Sequence, residues 1–183
     1  MYRFFLRLAQ IMAAAGGLVL SALIVMTCLS VLGREAASLL HGLGYTGAAR
    51  RLGPVQGDFE LVEAGMAFAI FAFLPWCQLT QGHAVVDIFT RRLPERAARW
   101  LQALIDAVFA AVLVLIAVQL NAGLQGVIRS GQTTFLIQMP LWWAYAASLV
   151  GAVAAALIAL YVAVLRVTEA VTGRALLPEG APG

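Results

Sequence analysis

Four long apolar runs, separated by more polar connections, organise this 183-residue chain. They occupy 10–32, 59–79, 101–128 and 141–165. A hydrocarbon core about 30 Å thick needs roughly 20 apolar helical residues, and each run meets that length. The first and fourth runs carry no charge. The second is charged only at its mouth, at Glu60 and Glu63, and the third carries Asp106 near its start. The pattern predicts an all-α integral membrane protein with four transmembrane helices. It forms a single membrane domain over 1–173, followed by a flexible tail over 174–183. Arg3 and Arg7 precede the first run as they would in a signal peptide. A signal h-region is only about 7–15 residues long, so the run reads as an uncleaved anchor.

The connections carry their own signals. In the first, 33–57, Ala36, Leu39, Leu40 and Leu43 recur at helical spacing beside Arg34 and Glu35. That predicts a short helix lying on the membrane surface, ended by the breakers Gly42, Gly44, Gly53 and Pro54. Pro140 stands just before the fourth run and suits a first helical turn. Gly131-Gln132-Thr133-Thr134 forms the turn ahead of it. Two rows of small residues recur every four positions: Ala147, Gly151, Ala155, Ala159 and Ala163 in the fourth run, and Ala9, Ala13, Gly17 and Ser21 in the first. Such rows let helix backbones approach closely in lipid, where packing replaces the hydrophobic drive.

Composition agrees with the pattern. Apolar residues make up 62% of the chain and charged residues 11%, with mean hydropathy +0.90. A soluble domain carries about a quarter charged residues. All basic residues are arginine, and they flank the apolar runs, where they set membrane orientation. Nucleic acid is therefore not an expected partner despite the net charge of +3. The N-terminus, second connection and tail hold eight arginines (Arg3, Arg7, Arg91, Arg92, Arg96, Arg99, Arg166, Arg174) against four elsewhere (Arg34, Arg50, Arg51, Arg129). The positive-inside rule then places both termini in the cytoplasm and the first connection on the periplasmic side. Trp142, Trp143 and Tyr145 at one boundary, and Trp76 and Trp100 at the other, suit interfacial belts. Cys28 and Cys77 fall near opposite membrane faces and are expected as free thiols, since a disulfide needs Cα atoms within about 7 Å.

The polar residues read mainly as structure. Glu60 and Glu63 are helix-start charges with Asp58 as N-cap, and Glu63 lies deeper. Asp106 inside an apolar run calls for a pairing partner, and Arg99, seven residues earlier on the same face, is the expected one. Gln119, Asn121 and Gln125 look like interhelical hydrogen-bonding groups. His83 could ligate a metal, but zinc needs three or four protein ligands and none converge on it. It reads instead as a turn residue, with Asp87 four positions later able to lock a turn through Gly82. No nucleophile elbow, phosphate loop or paired catalytic carboxylates appear, so neither an enzyme nor a cofactor is expected.

The ordered motifs resemble the small membrane subunit, of DctQ type, of tripartite ATP-independent periplasmic (TRAP) transporters. They are Asp58-Phe59-Glu60-Leu61, Leu74-Pro75-Trp76-Cys77-Gln78-Leu79, Gly82-His83 with Val86-Asp87, Arg92-Leu93-Pro94, and Gly131-Gln132-Thr133-Thr134 leading to Met139-Pro140-Leu141-Trp142. The resemblance implies a bacterial inner-membrane protein that pairs with a large polytopic membrane subunit. A periplasmic substrate-binding protein would deliver the substrate, and import of organic acids would be driven by a sodium gradient. The small subunit would be a scaffold, not fused to the large one, with substrate specificity residing in the other components. Two rival readings are a redox-complex membrane anchor, which needs histidines within spans, and a small autonomous transporter, which needs an essential carboxylate deep in a span. On the scaffold reading, His83→Ala should lower the yield of assembled complex while leaving the relative uptake of competing substrates unchanged. Competitive uptake assays check this.

Overall fold

The structure, a computed structural model, describes residues 2–43, 55–80 and 94–172. It contains four helices: α1 (Tyr2–Gly42), α2 (Asp58–Thr80), α3 (Glu95–Ser130) and α4 (Trp142–Thr172). Each is long and apolar enough to cross a membrane; α1, α2 and α3 each enclose a predicted run, and α4 covers the fourth from its second residue. No strand occurs among the described residues; a lone antiparallel bridge joins Thr133 and Pro140. The expected tail lies outside the described residues.

The helices stand in a row. α2 packs between α1 and α4, and α4 packs between α2 and α3. α1 touches α4 only slightly, where Phe5 stacks on Tyr161 at 4.4 Å. α1 and α3 therefore form opposite edges of an open layer. Leu18 and Leu29 on α1, and Leu104 and Leu115 on α3, are left exposed. In water this would be an aggregating surface; in lipid it is the expected one.

α4 occupies the centre because its small residues permit close contact on two sides. Ala155, Ala156, Ala159 and Ala163 pack with Ala110 and Leu113 of α3. Ile158 and Val162 pack with Ala9 of α1 and Leu79 of α2, and Ala154 with Met12 and Ala72. Four members of the predicted α4 row are buried, while Ala147 is exposed one turn before the contact begins. In α1 the packing face differs from the predicted row. Ala9, Met12 and Gly16 are buried and Ser21 is exposed, because the contact with α2 follows a mixed three- and four-residue step. A Cβ on Gly16 would sit 3.0 Å from the Ala72 Cβ, whereas one on Gly17 would meet nothing.

Three other expectations change. The separate surface helix after residue 33 does not form, because α1 runs unbroken to Gly42. Only one glycine, Gly33, interrupts the good helix formers there, and an internal glycine costs only about 1 kcal/mol. At 1.5 Å per residue, α1 is roughly 60 Å long, twice the hydrocarbon thickness. α4 continues past 165 to Thr172, and α3 begins at Glu95, directly after Pro94. Gln119, Asn121 and Gln125 are exposed on α3 rather than joining helices, since only the Ala110–Leu113 face meets α4.

Pro75 lies inside α2 and is buried. Proline cannot donate the bond that a helical residue makes to the carbonyl four positions earlier, here Phe71. Gly151 of α4 faces this same segment. A Cβ there would stand 2.9 Å from the Phe71 Cβ and 3.4 Å from its carbonyl carbon. Gly151→Leu should therefore wedge α4 from α2 and cost about 1–3 kcal/mol, as overpacked cores do. A lowered melting temperature of the detergent-solubilised protein, with helical circular dichroism retained, is the expected result.

Candidate functional site

Polar side chains gather at the two ends of α2. At the start of α2, the Gly57 carbonyl accepts from the Leu61 N–H at 3.1 Å. Gly57, not Asp58, thus takes the N-cap position. Its φ of +76° suits glycine, and a Cβ there would collide with the Ile137 side chain. Asp58 is released to work sideways. It accepts from the Phe59 N–H at 2.8 Å and from the Ser30 hydroxyl at 2.6 Å, and Arg34 lies 4.0 Å away. Ser30, fully buried, also accepts from the Val55 N–H at 3.3 Å. This ties α1 to the start of α2 and sets the level at which α1 begins to project beyond its neighbour.

Glu60 holds the α3–α4 connection. α3 ends at Gly131, whose φ of 63° forms a left-handed C-cap with its N–H on the Val127 carbonyl. The chain then doubles back. The Thr134 N–H donates to the Met139 carbonyl at 2.9 Å and the Leu141 N–H to the Gln132 carbonyl at 3.1 Å. Pro140 therefore belongs to this narrow hairpin and precedes the first turn of α4, which starts at Trp142. At the hairpin tip the N–H groups of Leu136 and Ile137 donate to the Glu60 carboxylate at 2.7 and 3.0 Å. A carboxylate bridging two adjacent amides is a charge-assisted clamp. Sequence reasoning placed Glu60 only as helix-start charge; nothing in the spacing pointed to amides 76 residues away.

Beside this clamp lies a cavity of about 500 Å³. α4 floors it with Ala144, Tyr145 and Ser148; α2 forms one wall with Glu63, Ala67 and Phe71; Leu120 of α3 forms another. Glu63 is exposed on its rim.

At the other end of α2, Gln78 reaches across α4 to α3. Its amide donates to Asp106 Oδ1 at 3.2 Å, while the Gln102 amide lies 3.4 Å from Asp106 Oδ2. The guanidinium facing Asp106 comes from Arg166 on α4, with Nε 3.6 Å from Oδ2; the sequence had pointed to Arg99. Arg166 Nη1 also donates to Glu169 at 2.9 Å. Gln78, Asp106 and Glu169 are all buried. One arginine thus lies between two buried carboxylates, as intramembrane charges require. The joint is structural in form: its charges pair with one another, and the Arg166 Nε, 3.6 Å from Asp106, makes no hydrogen bond among the described residues. Gly82, His83 and Asp87 lie outside the described residues. Cys28 and Cys77 are free thiols.

Removing Arg166 should leave the buried Asp106 without the cation that faces it. We expect Arg166→Leu to destabilise the protein by about 3 kcal/mol, since breaking one side of a buried pair leaves an uncompensated charge. The double variant Asp106→Leu with Arg166→Leu should lose less than the sum of the two single variants. Chemical denaturation in detergent measures both.

Comparison with known proteins places this architecture. No curated protein and no solved structure matches the chain. The family model of the DctQ component of tripartite ATP-independent periplasmic transporters matches residues 23–169, most of the chain. That match takes in the projecting part of α1, the Glu60 clamp, the hairpin and the Asp106–Arg166 joint. The chain belongs to the DctQ family, a multi-pass membrane component of these transporters.

Proposed function

We propose that the chain is the small permease subunit of a sodium-coupled, binding-protein-dependent importer of organic acids. Its role is that of a scaffold that anchors the large transport subunit in the bacterial inner membrane. The observation that carries the scaffold reading is the open row of helices. A layer four helices wide, with its edges unpaired and polar groups at both ends of α2 tied to neighbouring elements, suits a stationary support. Moving or ion-binding elements need polar groups free to exchange partners. Here Asp58, Glu60 and Asp106 are each engaged by a neighbouring helix or by the hairpin.

The arginine distribution supports cytoplasmic termini. On that orientation the Asp58 end of α2, the hairpin over 131–141 and the projecting end of α1 face the periplasm. The exposed hairpin tip, with Phe135 92% accessible, then lies where a soluble binding protein arrives.

Reconstitution tests the reading. Proteoliposomes carrying the large subunit and the binding protein should take up substrate only when this chain is present and a sodium gradient is imposed. Uptake at the full rate without the chain would refute the scaffold role. Uptake that ignores sodium would refute the coupling.

A further inference from the structure

We propose that the cavity between α2 and α3 is the seat of a basic side chain, an arginine or lysine, carried by a membrane helix of the large subunit. The inference rests on the partner reading above and adds the contact that makes it specific. Three observations converge on it. Glu63 stands exposed on the cavity rim, five residues after the start of α2, and makes no hydrogen bond or ion pair with the described residues. A carboxylate presented on a membrane helix is costly without a cation, so its position calls for one. The adjacent Glu60 is already taken by the Leu136 and Ile137 amides, which leaves Glu63 as the uncommitted charge.

The second observation lies at the floor. Ser148 is 3% accessible, and its Oγ is buried without a hydrogen-bond partner among the described residues. Buried hydroxyls are nearly always paired, and an orphan lining a cavity marks the place of an absent partner. A guanidinium or ammonium group placed between Glu63 and Ser148 would donate to both.

The walls decide the class of occupant. Ala64, Ala67, Phe71 and Leu120 are apolar and suit the methylene stem of a long basic side chain. Among the described residues no basic residue lines the cavity. An amine-headed phospholipid would bring its phosphate beside Glu60 and Glu63 with nothing to neutralise it, so like-charge repulsion disfavours the lipid. A protein side chain brings the cation alone. α2 and α3 do not pack along their length here, which leaves the trough open to a helix approaching that face of the row.

Co-purification with the large subunit tests the assignment. This chain, full length and tagged, would be co-expressed with that subunit, and the captured partner quantified. Glu63→Arg should reduce capture roughly tenfold or more, because truncating or reversing one member of a desolvated pair acts mainly on dissociation. Glu63→Gln should reduce it less, and Ser148→Ala less again. The melting temperatures of the isolated variants should match the native chain, which separates lost contact from lost folding. Changing the matching arginine or lysine of the large subunit to glutamate should restore capture by Glu63→Arg. If the native chain captures the large subunit and both Glu63 variants capture it equally well, this inference fails while the scaffold reading stands. If the native chain captures none, the scaffold reading itself fails and takes the inference with it. If capture is unchanged but Glu63→Gln abolishes stabilisation by phosphatidylethanolamine vesicles over phosphatidylglycerol vesicles, the seat belongs to a lipid and the proposal is overturned.

Discussion

The close approach of α4 to its neighbours is the constraint on which the rest of the fold depends. In lipid, apolar helices gain nothing from hiding apolar surface, so association needs dispersion contacts at short range and shared polar groups. α4 supplies both. Gly151 lets the Phe71 turn of α2 sit against its backbone, and Ala155, Ala159 and Ala163 admit α3. With α2 on one side and α3 on the other, α4 leaves α1 only a small contact, at Phe5 and Ala9. α1 is left to pack mainly on α2, and the result is a row rather than a closed bundle.

The polar contacts then finish what packing begins. Small residues make two helices close but specify their register weakly. At one end, Arg166 sets the register of α4 against α3 through Asp106, and Gln78 adds α2 to the same joint. At the other end, Ser30 sets α1 against α2 through Asp58, and Glu60 fixes the hairpin that leads into α4. Polar contacts at the two ends of α2 thus fix the register of the row, with small-residue contact between. Groups spent in this way are unavailable for transport chemistry, and the proposed scaffold role rests on that.

Two polar groups that make no hydrogen bond among the described residues lie together. Glu63 and the Ser148 hydroxyl share a cavity that opens where α2 and α3 stand apart. α2 and α3 both pack on α4 but not on each other along their length, and this leaves the gap. A surface suited to a partner is therefore a by-product of the row.

The sequence by itself determined the class of protein, its four membrane helices and its family. Hydrophobic runs of span length are local properties, and so are turn residues such as Gly131 and the ordered motifs from Asp58 to Trp142. The helix-start role of Glu60 and the need of Asp106 for a partner were legible for the same reason. Tertiary structure alone decided who the partners are. Arg166 meets Asp106, Leu136 and Ile137 meet Glu60, and Gly57 displaces Asp58 from the cap because Ile137 packs where a Cβ would be. It also decided that Ala147 falls outside the α4 contact, that Met12 and Gly16 rather than Gly17 and Ser21 face α2, and that α1 continues past Gly33. The physical reason is common to all of these. Periodicity reports which residues share a face, but the choice among faces, and among partners of equal charge or size, depends on how far apart the helix axes come to rest. Only the assembled row sets those distances.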